Sequence, residues 1–129
     1  MQTIGHFIDG QNVKSTSSRT ADIFDPNTGA VKRKVSLGLP SELDTAIASA
    51  EKAQKIWAAT NPQKRARVMF AYKQLVEAHM EELAELLSSE HGKVVADSRG
   101  DVMRGIDVIE FACGIPHGQK GEHTYGAGP

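Results

Sequence analysis

Arg104 is the side chain in this sequence whose type and setting most invite a ligand. It stands beside Gly105 in a segment, Asp97 to Cys113, whose apolar residues recur at helical spacing. A planar guanidinium there could form two parallel hydrogen bonds to a carboxylate on a small molecule. Asp101 and Asp107 flank it at i−3 and i+3, so the same side chain could instead sit in a surface ion pair of little energetic consequence. At the level of residue types both readings stand.

Other constellations are weaker. Cys113 and His117 are spaced i, i+4, which on a continuous helix would pair a thiol with an imidazole base. Pro116 lies between them and disfavours helical backbone at Ile115, which favours an inert buried cysteine. Cys113, His117 and His123 offer three metal donors, yet no C-x-x-C pair or second histidine pair completes a tetrahedron. His79 falls on a helical stripe and reads as a partly buried structural histidine, and His6 and His91 have no partner at a useful spacing. Lys64, Arg65 and Arg67 open a helix at the end where positive charge opposes the dipole, which marks a solvated face or a carboxylate partner elsewhere. Neither G-x-G-x-x-G nor G-x-x-x-x-G-K-[ST] occurs, and Gly126-Ala-Gly128 runs into Pro129 with no helix after it, so a phosphate cradle is not encoded in this stretch.

The elements that must position these residues change character near residue 40. Before it, Phe7–Val13 and Ala21–Asp25 are short β-type runs, Asp25-Pro-Asn-Thr-Gly29 is a turn signal, and Val31–Leu37 alternates as a third strand. Such strands cannot stand alone and must lean on other structure. After Pro40, Leu43, Ile47, Ala50, Ala53 and Trp57 predict a helix over about residues 41–58, with Ser41 and Asp44 as a variant capping box. Asn61-Pro62 restarts the helical pattern, and because no Gly or Pro interrupts Gln63–Ser89 a single long helix is expected, ended by Gly92. Its stripe is Val68, Leu75, Val76, His79, Leu83, Leu86 and Leu87. A third helix covers about Val94–Cys113, with the stripe Val102, Ile106, Ile109 and Cys113. Gly100 and Gly105 inside it each cost about 1 kcal/mol against alanine, so they suggest that another backbone or a ligand comes close. The chain thus divides into short strands over 1–40, three helices over 41–113, and over 114–129 a loop leading to a strand the sequence does not contain.

Composition sets the outer bounds. The 129 residues, 40% hydrophobic and 24% charged, can bury one modest core. Fifteen basic and sixteen acidic residues give a net charge of −1 and are mixed along the chain, which argues against a nucleic-acid or membrane-surface partner. A single cysteine fits a reducing compartment, so the cytoplasm is expected. No secretory leader and no run of about 18 apolar residues is visible.

Several short segments, in order, carry a family resemblance: Phe7-Ile-Asp-Gly10, Asp25-Pro-Asn-Thr-Gly29, Trp57, Arg65-Ala-Arg-Val-Met-Phe70, Leu83-Ala-Glu-Leu-Leu87, Glu90-His-Gly-Lys93 and Gly100-Asp-Val102. Over nearly its whole length the chain resembles the amino-terminal region of the aldehyde dehydrogenase superfamily. Arg104-Gly-Ile-Asp-Val-Ile-Glu-Phe-Ala112, Gly114-Ile-Pro-His117 and Lys120-Gly-Glu-His-Thr124 resemble its CoA-acylating methylmalonate-semialdehyde dehydrogenases in particular. The resemblance implies an α/β fold in which these strands and helices pack on a Rossmann-type cofactor domain. It implies oxidation of methylmalonate or malonate semialdehyde with NAD, release of carbon dioxide, transfer of the acyl group to CoA, and a homodimer or tetramer. By position it assigns Arg104 to the substrate carboxylate and makes Gly105 the residue that leaves room at the substrate tunnel. The nucleophilic cysteine, the oxyanion asparagine and the NAD-binding residues belong to later regions of the family, and Cys113 does not match the nucleophile's surroundings. The expectation is an amino-terminal fragment, inactive alone, with a non-catalytic helical interaction module or a piece of another semialdehyde dehydrogenase as the alternatives.

Overall fold

A computed structural model describes residues 1–123 and residue 125. Two compact units emerge, one formed by Met1–Ala59 with Leu86–Val94, the other by Thr60–Glu85 with Val95 onward.

The first unit holds the strands. β1 (Thr3–Ile4), β5 (Val31–Ser36) and β4 (Thr20–Phe24) form a three-stranded sheet in the order β1-β5-β4. β1 runs parallel to β5 in the register Thr3 to Lys34, and β4 runs antiparallel to it with a bulge between Ile23 and Phe24. The expected single run at Phe7–Val13 is instead a hairpin, β2 (His6–Ile8) against β3 (Gln11–Val13). Its two-residue turn is Asp9-Gly10, at φ 53° and 73°. Asp-Gly supports left-handed backbone at both central positions, the geometry whose twist matches the flanking strands. The Asp25–Gly29 turn forms as expected: Asn27 and Thr28 backbone N–H groups donate to Asp25 Oδ1 at 2.9 and 3.0 Å, and these two donors hold its carboxyl below the usual carboxylate range.

Helix α1 (Pro40–Ala59) follows. Its start differs from the expected Ser41/Asp44 box. Glu42, third in the helix, reaches back to the Leu39 N–H at 2.8 Å, while the Leu39 carbonyl accepts from the N–H groups of Glu42 and Leu43, so Leu39 is the cap residue and Glu42 its reciprocal acceptor. None of the twenty residues of α1 is buried. The stripe Leu43, Ile47, Trp57 lies uncovered, between 45 and 61% exposed.

The expected long helix is two. α2 (Pro62–Ala78) begins as the sequence indicates, with Asn61 Oδ1 accepting from the Gln63 N–H and Pro62 at the first position. It ends at His79, whose φ of −108° and ψ of 18° leave the helical region. His79 closes α2 by donating its N–H to Leu75 O, and opens α3 (Met80–His91) by accepting from the Leu83 N–H. Glu81 and Glu82 fill the first turn of α3, where acids favour a helix start, and Glu82 also contacts His79 Nδ1 at 2.9 Å. His79 is therefore an exposed hinge residue and not part of a buried stripe. Val68, Leu75 and Leu86 are likewise more than half exposed.

In the second unit α2 packs on α4 (Val95–Cys113). The α4 stripe forms as read from the sequence: Ile106 and Cys113 are buried, Val102 and Ile109 half-buried, and Ser98 joins them fully buried. Across from it Ala66 is buried in α2, and Lys73 lies between Glu77 at 2.8 Å and Glu110 of α4 at 3.3 Å, whose carboxylates raise its pKa. Gly114 does not simply end in loop, because a short turn of helix, α5 (Ile115–Gly118), follows. The loop expected from His117 begins after α5, with neither helix nor strand over residues 119–123, and Thr124 and the Gly126–Pro129 stretch lie outside the described residues. Among the described residues no helix is long and apolar enough to cross a membrane.

Candidate functional site

The inward stripe of α4 fixes where Arg104 points. Ser98, Val102, Ile106, Ile109 and Cys113 occupy one side of the helix, and at 3.6 residues per turn position 104 falls on the other. The Arg104 side chain is 84% exposed, and its Nη1 lies 3.6 Å from Asp101 Oδ1. That distance in a solvated pair holds the guanidinium only loosely, so its hydrogen-bonding edge is open to a planar anion. Val108 and Phe111, one and two turns further along the same line, are 67 and 79% exposed. A Cβ built on Gly100 or Gly105 would meet nothing within 4 Å. Close packing among the described residues therefore does not account for either glycine. What the face offers is one loosely held cation with uncovered apolar surface beside it.

The remaining candidates are not brought together. Cys113 is buried at the end of α4, whereas His117 is exposed in α5 beyond Gly114. Among the described residues no group of three His, Cys, Asp or Glu side chains could hold a metal ion. Lys64 and Arg67 are exposed, while Arg65 is half-buried with its Nε without an acceptor. The starts of the long helices already carry side-chain acceptors or acids: Glu42 at α1, Asn61 at α2, Glu81 and Glu82 at α3, and Asp97 at α4. A dinucleotide pyrophosphate would meet carboxylates at three of these four, so the described residues do not fit a phosphate cradle.

One cluster was not legible in the sequence. The Glu42 carboxylate accepts from the backbone N–H groups of Leu39 and Thr16 at 2.8 and 2.7 Å, and from the hydroxyls of Ser15 and Thr16. His6 Nε2 stands 3.4 Å away, so His6 does have a partner, thirty-six positions along the chain. Gly38 fits beneath the pair, where a Cβ would lie 3.1 Å from His6 Cε1 and 3.3 Å from Glu42 Oε2. Donors to the ionised form pull the Glu42 pKa down to about 2, led by the Leu39 and Thr16 amides. A carboxylate so saturated cannot serve as a general base near neutral pH. It is a knot that ties the strand segment before residue 20 to the start of α1, beside a groove of about 640 Å³ lined by Phe7, Arg19, Leu39 and Leu43. A second such tie joins α3 to α4, where Arg99 grips Glu81 through two nitrogens, one at 2.8 Å.

Comparison with known proteins gives these features a setting. The sequence model of the aldehyde dehydrogenase family matches residues 13–127. A malonate-semialdehyde dehydrogenase of Pseudomonas aeruginosa is 40% identical over all 129 residues, which span 26% of that protein. Among solved structures, a protein of Sinorhizobium meliloti described as a methylmalonate-semialdehyde dehydrogenase, in complex with NAD, superposes with a TM-score of 0.89. It is 53% identical, with the whole chain covering 26% of it. An NAD-dependent benzaldehyde dehydrogenase of Corynebacterium glutamicum superposes at 0.81 with 26% identity, over 88% of this chain and 25% of that one. The chain spans about a quarter of the length of the relatives it matches.

Proposed function

The chain belongs to the aldehyde dehydrogenase family, and from that premise we propose that it is the amino-terminal part of an NAD-dependent, CoA-acylating malonate- or methylmalonate-semialdehyde dehydrogenase. The observation that carries the substrate class is the level of identity, 40 to 53% with the semialdehyde dehydrogenases over the full chain against 26% with a benzaldehyde enzyme of the same fold. In this reading Arg104 holds the substrate carboxylate. Its exposure on the side of α4 opposite the packed stripe supports the role, because a bound anion needs no rearrangement of the helix core.

The complete protein converts semialdehyde, NAD and CoA into acyl-CoA, carbon dioxide and NADH. Bound NAD would supply the hydride acceptor; the nucleophile that attacks the aldehyde and the residues that bind NAD are supplied by other parts of the polypeptide, since Cys113 is buried in the helix packing. This chain's own task is to present the α4 face to the substrate and to hold that helix in place through α2, Lys73 and the Arg99–Glu81 pair. The enzyme works as a homodimer or tetramer in the cytoplasm. The test is NADH formation by the full-length polypeptide and by the 129-residue chain separately. Turnover of malonate semialdehyde by the first and none by the second is expected. A full-length protein that oxidises benzaldehyde but no carboxylated aldehyde overturns the substrate class, and activity in the short chain overturns the division of labour.

A further inference from the structure

We propose that Asp101 and Asp107 are specificity-determining residues, which restrict the Arg104 site to ligands carrying a single negative charge and turn away dianions such as phosphorylated aldehydes. The proposal rests on the reading of Arg104 as the carboxylate contact. Successive residues of a helix step by about 100°, so the α4 residues within about 60° of Arg104 include Asp97, Asp101 and Asp107 but no second cation. Three carboxylates therefore share this face of the helix with one guanidinium. They weaken its hold on every anion, and what they add in return is a difference between anions.

Asp101 stands nearest. Its Oδ1 lies 3.6 Å from Arg104 Nη1, at one edge of the guanidinium, and the opposite edge is left for two parallel hydrogen bonds to a ligand. Asp107 is the neighbour one turn the other way, and because helix side chains lean toward the amino terminus its carboxylate is carried back toward the Arg104 stem. Each aspartate opposes every unit of negative charge on the ligand by the same Coulomb amount, so a monoanion meets that opposition once and a dianion twice. At a separation of roughly 6 Å, the extra charge is disfavoured by about threefold at an effective dielectric constant of about 80 and about a hundredfold at about 20. The Arg104 side chain is 84% exposed, which sets the effect near the lower end. A semialdehyde carboxylate, planar and singly charged, fits the guanidinium edge and meets the smallest opposition; a phosphate ester meets twice as much.

The experiment compares methanesulfonate with sulfate, two tetrahedral anions of similar size that differ by one charge. Each is tested as a competitive inhibitor of the full-length polypeptide against malonate semialdehyde, at constant low ionic strength because salt screens exposed charges. The proteins are the wild type, Asp101→Asn, Asp107→Asn and Arg104→Leu. Each asparagine variant should lower the Ki of methanesulfonate and lower that of sulfate further, so that the sulfate-to-methanesulfonate ratio falls by about threefold or more. Asp107 is exposed, so its variant gives the comparison even where Asp101→Asn disturbs the helix. If Arg104→Leu raises both Ki values while neither asparagine variant moves their ratio, the charge screen is overturned alone. If Arg104→Leu leaves both values untouched, or neither anion competes with the substrate, the carboxylate reading of Arg104 fails with it.

Discussion

Replacing Arg104 by leucine separates the two roles its surroundings allow. In this chain the side chain is 84% exposed and approaches one carboxylate at 3.6 Å, so as a surface pair its loss should leave stability within a few tenths of a kcal/mol. As a carboxylate clamp it makes two charge-assisted hydrogen bonds, each about 1.5–3 kcal/mol. Ordering a long, loosely held stem opposes this by about 2 kcal/mol. The balance is roughly 1–4 kcal/mol, which at about 1.4 kcal/mol per decade is a loss of about 5- to 700-fold. The assay is kcat/KM of the full-length polypeptide for malonate semialdehyde against propanal, which lacks the carboxylate. The loss should fall on malonate semialdehyde, mainly through KM, with the melting temperature unmoved. Equal losses on both substrates would refute the clamp, and so would a melting temperature lowered by several degrees, since that would make Arg104 structural.

Three further outcomes follow from the packing. Glu42 has its pKa pulled down to about 2 in the folded chain against the ordinary carboxylate range when unfolded, so it contributes stability above that range and loses it as pH falls toward 2. Glu42→Gln should flatten this acid-side dependence in melts across pH, and an unchanged slope would show that the knot is not coupled to folding. Ile106→Ala, at a position 4% exposed in the α2–α4 contact, should cost about 2–4 kcal/mol in urea melts, and a cost under 1 kcal/mol would mean the helices pack elsewhere. Gly5→Ala places a Cβ against the Val13 carbonyl of the hairpin and should destabilise by about 1–3 kcal/mol; wild-type stability would show that the hairpin can shift freely.

What the sequence disclosed and what it hid divide along physical lines. Local chemistry was legible: Asn61-Pro62 starts α2, Asp25 organises its turn, and the period of Val102, Ile106, Ile109 and Cys113 sets the inward side of α4. Asp9-Gly10 was an available hairpin signal that the run of β-formers around it obscured. The break at His79 carries no Gly or Pro; its signal is the pair of acids after it, which cap a new helix as readily as they decorate an old one. Of the apolar stripe assigned to the long helix, Val76, Leu83 and Leu87 are half-buried while Val68, Leu75, His79 and Leu86 are exposed, so the stripe holds only in part. Apart from Leu39, Glu42's partners lie 26 to 36 residues before it, a distance over which spacing carries no information. For Arg104 the local sequence fixes the direction of the side chain, while the carboxylate proposed for it rests on family resemblance and not on spacing.

The first unit draws on two separate stretches of chain, Met1–Ala59 and Leu86–Val94. Lys32 reaches the Ser89 carbonyl, Arg33 pairs with Glu90, and Gly92 sits against the ring of Pro26. During synthesis the strands therefore emerge well before the segment that completes them. These contacts stay unmade while some fifty residues more are added, and only then can the long loop close, at the entropic cost that slows contacts distant in sequence. A ribosome pausing between residues 59 and 86 would hold a nascent chain with exposed strands and an uncovered α1, the state most open to chaperones and to aggregation.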